Sequence, residues 1–192
     1  MDYHLDIPLS NEDIKQLRIG DVVYVSGMLF TARDEAHRLM LQKESKDLPF
    51  DTKKMVLYHC GPLMKRDEDG WQVVSAGPTT SSRMDIFEEE FIQKFGIKLI
   101  IGKGSMDDSL KEAFRKNNCV FTVYTGGAGA LAADKILRVK DVFFLKETGM
   151  AEAVWLFEVK DFGPLVVAMD SCGHSLFKSE KMLLKGEKCA CQ

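Results

Sequence analysis

Short apolar runs alternate along this chain with stretches whose apolar residues recur every three or four positions, the periods of strand and helix respectively. Asn11 to Leu17 predicts a short helix, which Gly20-Asp21 turns into the strand Val22 to Ser26. Arg33 to about Lys46 has helical spacing, with Ala36, Leu39 and Met40 on its apolar side. Met55 to Cys60 predicts a strand closed by Gly61-Pro62, and Lys65 to Gly70 a polar turn into the buried strand Trp71 to Ser75. Further on come a helix over Met84 to Phe95 with Gly96 as its C-cap, the strand Lys98 to Gly102, a helix over Met106 to Asn117 and the strand Cys119 to Tyr124. A helix over Ala130 to Leu137 and the strands Val142 to Leu145, Ala153 to Val159 and Leu165 to Met169 complete the pattern. This rhythm carries no repeat and no low-complexity linker, so it predicts one α/β domain over residues 1–192, a mixed sheet flanked by helices, with a less ordered tail from about 178 to 192.

The chemistry concentrates where strands hand over to helices. Ser75-Ala-Gly-Pro-Thr-Thr-Ser-Ser-Arg-Met-Asp85 places four hydroxyls, Thr79 to Ser82, where a helix needs caps, and Arg83 in the first turn. Free N–H groups, hydroxyls and a guanidinium at one helix start make an anion site suited to a carboxylate or phosphate. A first-turn arginine opposes the helix dipole, so it serves stability poorly. The plainer alternative is an ordinary capped helix with a solvated arginine.

Three other turns bear on this one. Ile101-Gly-Lys-Gly-Ser-Met-Asp lets backbone approach a ligand at Gly102 and Gly104 while Lys103 supplies a point charge, but it is not a Walker A loop. Tyr124-Thr-Gly-Gly-Ala-Gly129 lacks dinucleotide spacing and reads better as a tightly packed turn. In Thr31-Ala-Arg-Asp-Glu-Ala-His37, Arg33 and His37 stand four apart on one helix, and a histidine near a helix N-terminus suits neutral acid/base work. Asp34 is placed to cap or orient, and a solvated charged face is the bland reading. Gathered at one end of a sheet, these turns bring Arg33, Arg83 and Lys103 together, which fits a small dicarboxylate.

Whole-chain properties narrow the class. With 192 residues, 45% hydrophobic, and a net charge of −3, the chain has no broad basic surface for nucleic acid. No apolar run approaches the roughly 20 residues that cross a bilayer, and the N-terminal residues lack the pattern of a signal peptide, so a cytoplasmic location is expected. Five cysteines without CxxC spacing argue against a metal site in this chain. Cys60, Cys119 and Cys172 read as packing thiols, and Cys189-Ala-Cys191 as part of the tail.

Four motifs in order carry a resemblance: Thr31-x-Arg-Asp-x-x-His37, Ala76-Gly-Pro-Thr-Thr-Ser-Ser-Arg-Met84, Ile101-Gly-Lys-Gly104 and Gly149-Met-x-Glu-Ala-Val-Trp155. From Ile19 to about Phe177 the chain resembles the β subunit, or C-terminal domain, of the class I iron–sulfur hydro-lyases, fumarase and L(+)-tartrate dehydratase. It departs at Ser105, where a glycine is commoner, and at Ala128-Gly129.

The resemblance implies a swivelling β/β/α domain that closes over a cluster-bearing α subunit, in an α2β2 heterotetramer. The partner's [4Fe-4S] cluster would be the Lewis acid, and this chain would bind none and be inactive alone. Arg33, Arg83 and Lys103 would clamp substrate carboxylates, with Thr79 and Thr80 donating hydrogen bonds and Thr79 near the carbon that loses its proton. His37 would be the titratable acid/base group and Asp34 would hold His37 or an arginine. The expected reaction is reversible hydration of fumarate to malate. Its alternatives are tartrate dehydration to oxaloacetate and a non-catalytic ligand-binding domain.

Overall fold

The computed structural model describes residues 1–68 and 70–177; the expected tail and Cys189/Cys191 lie outside the described residues. In chain order the elements are β1 (Asp2–Asp6), α1 (Asn11–Gln16), β2 (Val22–Thr31), α2 (Asp34–Leu41), β3 (Val56–Tyr58), β4 (Leu63–Asp67) and β5 (Gly70–Ser75). They continue with α3 (Asp85–Phe95), β6 (Leu99–Gly102), α4 (Lys111–Asn117), β7 (Val120–Val123), α5 (Gly129–Asp134), β8 (Ile136–Phe143), α6 (Leu145–Thr148) and β9 (Val154–Met169). The sheet is mixed and flanked by helices, as the alternating pattern predicts.

Strands β2, β3, β6 and β7 run parallel to one another, while β9 lies antiparallel to both β7 and β2. These five strands therefore close into a ring. β1 extends it beside β2, and β8 beside β9. Alternation within the strands sorts side chains into two cores. Leu29, Val56, Tyr58, Leu99, Ile101 and Val120 join one; Phe30, Leu57, Ile100 and Phe121 join the other, against α2, α3 and α4.

Several boundaries differ from expectation, each for a physical reason. The expected strands at 153–159 and 165–169 are one strand, β9, which accommodates Gly163-Pro164 through register shifts. A Cβ at Gly163 would stand 2.7 Å from the Val23 carbonyl oxygen, so only glycine lets the strands close there. α2 ends at Leu41, where the apolar positions give out, well before Lys46. The helix expected to reach Leu137 stops at Asp134, and Ile136 begins β8 instead. β5 is not a buried strand: it pairs with β4 in a separate hairpin and is half-exposed.

Helix α3 is the main buttress of the second core, where Phe91, Ile92 and Phe95 are fully buried. Truncating such a ring removes apolar contact and leaves a cavity. Phe95→Ala is expected to lower unfolding free energy by about 3–5 kcal/mol in urea denaturation; a loss below about 1 kcal/mol would remove Phe95 from the core.

Candidate active site

The C-terminal ends of β2, β3, β6 and β7 open on the same edge of the sheet, the usual place for a ligand in an α/β protein. β2 delivers Arg33, β3 delivers His59, β6 delivers Lys103, and β7 leads into the glycine loop at Gly126. The fifth contributor comes from outside the sheet. From β5, Ala76 to Ser81 runs back across these ends, anchored by Thr79 N–H to the His59 carbonyl (2.8 Å) and Ser81 N–H to the Lys103 carbonyl (2.9 Å). Isolated bridges pair Cys60 with Pro78 and Thr80 with Lys103, and the Tyr58 hydroxyl donates to the Ala76 carbonyl.

The four hydroxyls do not cap α3. Neither the 3₁₀ turn at Ser81–Arg83 nor α3 has a side-chain cap, and Ser81 faces inward instead. Its Oγ lies 2.9 Å from His59 Nδ1 and accepts the Lys103 N–H at 3.2 Å. Gly102 allows this: a Cβ there would overlap the Ser81 hydroxyl. Thr79 is partly exposed and Thr80 exposed, with Thr80 beside Lys103 on the rim.

The cations meet there with different partners. The Arg83 guanidinium donates to Asp34 at the start of α2, so Asp34 holds an arginine, one of its two expected roles. Arg33 Nε is 3.0 Å from Glu152 Oε1, and the guanidinium lies over Gly61, where a Cβ would come within 2.5 Å of Arg33 Nη1. Among the described residues no carboxylate pairs with Lys103, whose stem lies along Gly126. The structure thus joins Arg33, Asp34, Thr79, Thr80, Arg83 and Lys103 into one rim.

His37 takes a different place. Its ring is fully buried; Nδ1 is 2.8 Å from the Arg33 carbonyl oxygen and Nε2 is 3.3 Å from Glu88 Oε1. His59 Nε2 reaches the same oxygen at 2.7 Å, and Glu88 is also fully buried. Burial pushes the Glu88 carboxyl up, but His59 and His37 outweigh it and hold the group down at about 2. Burial likewise pulls His59 below its ordinary value, against Glu88. Neither His59 nor Glu88 was singled out from the sequence. The available signal is that Glu88 stands on the apolar stripe of Met84, Phe91, Ile92 and Phe95 rather than on the solvent face.

Two sets of three potential ligand atoms lie close together among the described residues, His37–His59–Glu88 and Asp170–Cys172–His174. In the first, the 2.7 Å separation is that of a direct N–H to carboxylate contact, whereas neighbouring tetrahedral ligands about 2.0–2.1 Å from zinc stand about 3.3 Å apart. In the second, Asp170 is occupied by the Cys172 and His174 N–H groups and the His174 ring. Cys60 and Cys119 are buried, with thiols pushed up chiefly by burial, so they offer no cradle for an iron–sulfur cluster. The neighbouring cavity of about 320 Å³ is lined by Asp85, Asp107 and Asp108, a poor home for an anion; burial raises Asp85 to about 6.

The family model for the fumarase C-terminus matches residues 2–180. The chain belongs to the fumarase C-terminus family. It is 48% identical over 172 residues to a Methanocaldococcus jannaschii protein provisionally named L(+)-tartrate dehydratase subunit beta, covering 88% of each chain. It is 38% identical over 179 residues to the Escherichia coli L(+)-tartrate dehydratase subunit beta, covering 93% of this chain and 88% of that one. A Geobacillus stearothermophilus protein provisionally named fumarate hydratase class I is 41% identical over 173 residues, 90% of this chain but 33% of that protein. By family the chain is a β-type subunit of a hydratase or dehydratase. Among the described residues no helix is long and apolar enough to cross a membrane.

Because the fold holds Glu88 and His59 below their ordinary values of 4.5 and 6.5, the unfolded chain takes up protons first as pH falls. Stability therefore declines below about pH 6.5 through His59, and from about 4.5 to about 2 through Glu88. Glu88→Gln breaks a buried pair and is expected to cost about 3–5 kcal/mol at pH 7. The gap to wild type should narrow between pH 4.5 and 2, read from urea midpoints; a gap constant with pH would show that the fold does not hold the Glu88 carboxyl below its ordinary value.

Proposed function

We propose that this chain is the β subunit of a hydro-lyase acting on a four-carbon dicarboxylate, in a site shared with a cluster-bearing α subunit in an α2β2 assembly. One observation carries the reading. Arg33, Arg83 and Lys103, which no carboxylate among the described residues pairs, converge with the Thr79–Thr80 turn at the open ends of four parallel strands. Two carboxylates need cations on more than one side, and the rim supplies three from three separate turns. Arg83 and Lys103 flank the turn and take substrate carboxylates, Arg33 closes the other side, and Asp34 and Glu152 fix the two guanidiniums. Thr80 donates a hydrogen bond, and Thr79 stands at the carbon that loses its proton. A threonine hydroxyl is a weak base, so an acidic group of the α subunit activates it. The [4Fe-4S] cluster belongs to that subunit, the buried thiols Cys60 and Cys119 offering it no cradle.

The domain swivels over the α subunit to close the site, and a cytoplasmic location suits an enzyme that draws on small dicarboxylates. Fumarate hydration to malate is the main reaction. L(+)-tartrate dehydration is the second reading, favoured by the names of the Methanocaldococcus and Escherichia relatives. The two substrates differ by one hydroxyl, so one or two polar contacts separate them.

Anaerobic co-expression with the α subunit tests the assignment. Activity in the complex and in neither half is expected, with the faster of fumarate hydration and tartrate dehydration naming the enzyme. No association and no turnover would leave a non-catalytic ligand-binding domain. In the active complex, Arg83→Ala should lower kcat/KM by about 30- to 1000-fold, the equivalent of about 2–4 kcal/mol for an orphaned carboxylate; unchanged kinetics would remove Arg83 from the clamp.

A further inference from the structure

The fully buried trio Glu88, His59 and His37 touches every segment that carries a clamp. His37 Nδ1 faces only the Arg33 carbonyl oxygen, so it carries a hydrogen and donates it. Ser81 Oγ accepts the Lys103 N–H, which leaves its own hydrogen for His59 Nδ1. That assigns His59 as the neutral tautomer with its hydrogen on Nε2, toward Glu88. The His59 main chain adds a third tie, since its carbonyl accepts the Thr79 N–H and its N–H donates to the Ile101 carbonyl. One oxygen of Glu88 lies 2.7 Å from His59 Nε2 and 3.3 Å from His37 Nε2, so the buried carboxylate meets the His59 N–H at close range.

We propose that Glu88, His59 and Ser81 are positioning residues for the dicarboxylate site, a buried lock that fixes Lys103 and the Thr79–Thr80 turn against Arg33. The lock rests on the hydro-lyase reading for the identity of its ligand, and on this geometry for its action. The His59 ring meets the Lys103 N–H through the Ser81 hydroxyl, which stands between them. His37 belongs to the same device: its enclosed ring orients the Arg33 main chain and presents no atom to the rim. A charged anchor suits this task better than an apolar one. The carboxylate holds the His59 N–H, and the cost of leaving Glu88 unanswered resists any slip of α3 relative to β3.

The two ring nitrogens of His59 allow a paired test, because asparagine places a polar atom near Nδ1 and glutamine near Nε2. His59→Asn keeps an acceptor for Ser81 and loses Glu88; His59→Gln keeps the reach to Glu88 and loses Ser81. Amide hydrogen exchange of the full chain and steady-state kinetics of the reconstituted complex are the readouts. In His59→Gln and in Ser81→Ala, Lys103 amide exchange should quicken at least tenfold and KM for the dicarboxylate should rise at least tenfold. Core amides such as Val120 should keep their protection, and His59→Asn should recover most of what His59→Gln loses. Wild-type Lys103 exchange and KM in both His59→Gln and Ser81→Ala would overturn the lock. So would equal losses in the two His59 variants accompanied by loss at Val120, the mark of a purely structural role. If the wild-type complex turns over neither fumarate nor tartrate, the hydro-lyase reading fails, and the Lys103 exchange pattern alone decides the lock.

Discussion

A carboxylate sealed from water must be answered by charge at close range, and the arrangement around Glu88 follows from that requirement. The helix that carries it, α3, packs on the outer face of the parallel strands through Phe91, Ile92 and Phe95. Its answering groups come from α2 and from the end of β3. Two neighbours of those groups, the Arg33 carbonyl and Ser81, belong to turns at the rim. The interior therefore dictates where the rim stands. A slip of α3 by one residue would leave a buried carboxylate without its answering N–H, a far greater cost than loss of any exposed ion pair.

The parallel strands and the helices beside them were legible because both leave periodic marks. Val56 to Tyr58, Leu99 to Gly102 and Val120 to Val123 sit where their apolar runs place them, and Gly96 is the left-handed C-cap of α3. Closure of the ring was not legible. It depends on β9 keeping its pairing across Gly163-Pro164, two residues that locally signal an end to a strand. β1 escaped notice because Asp2–Asp6 is mostly polar, and only pairing with β2 makes it a strand.

The site divides in the same way. Arg33, Asp34, Thr79, Thr80, Arg83 and Lys103 stood out because cations and hydroxyls at glycine turns are rare local combinations. Their convergence is borne by Thr80 beside Lys103 and by Arg83 on Asp34. Sequence reasoning put His37 with them because Arg33 and His37 are four apart. In the fold the two are indeed neighbours, but through the Arg33 main chain, while the side chains part: the guanidinium to the rim and the imidazole to the interior. Glu88 stayed hidden within Glu88-Glu89-Glu90, where Glu89 and Glu90 are solvent-facing.

The pairing of Arg33 with Glu152 and of Arg83 with Asp34 has an electrostatic consequence. Three cations stand against two carboxylates, so the rim carries a net charge near +1 on a chain whose total is −3. Its far field is accordingly weak, and a dianion arriving through solvent feels little guidance until it is within a Debye length. Encounter is then governed by ordinary diffusion, largely insensitive to ionic strength. Discrimination for two negative charges is deferred to contact, where Lys103 has no carboxylate partner among the described residues and the two guanidiniums have N–H groups beyond those their carboxylates take.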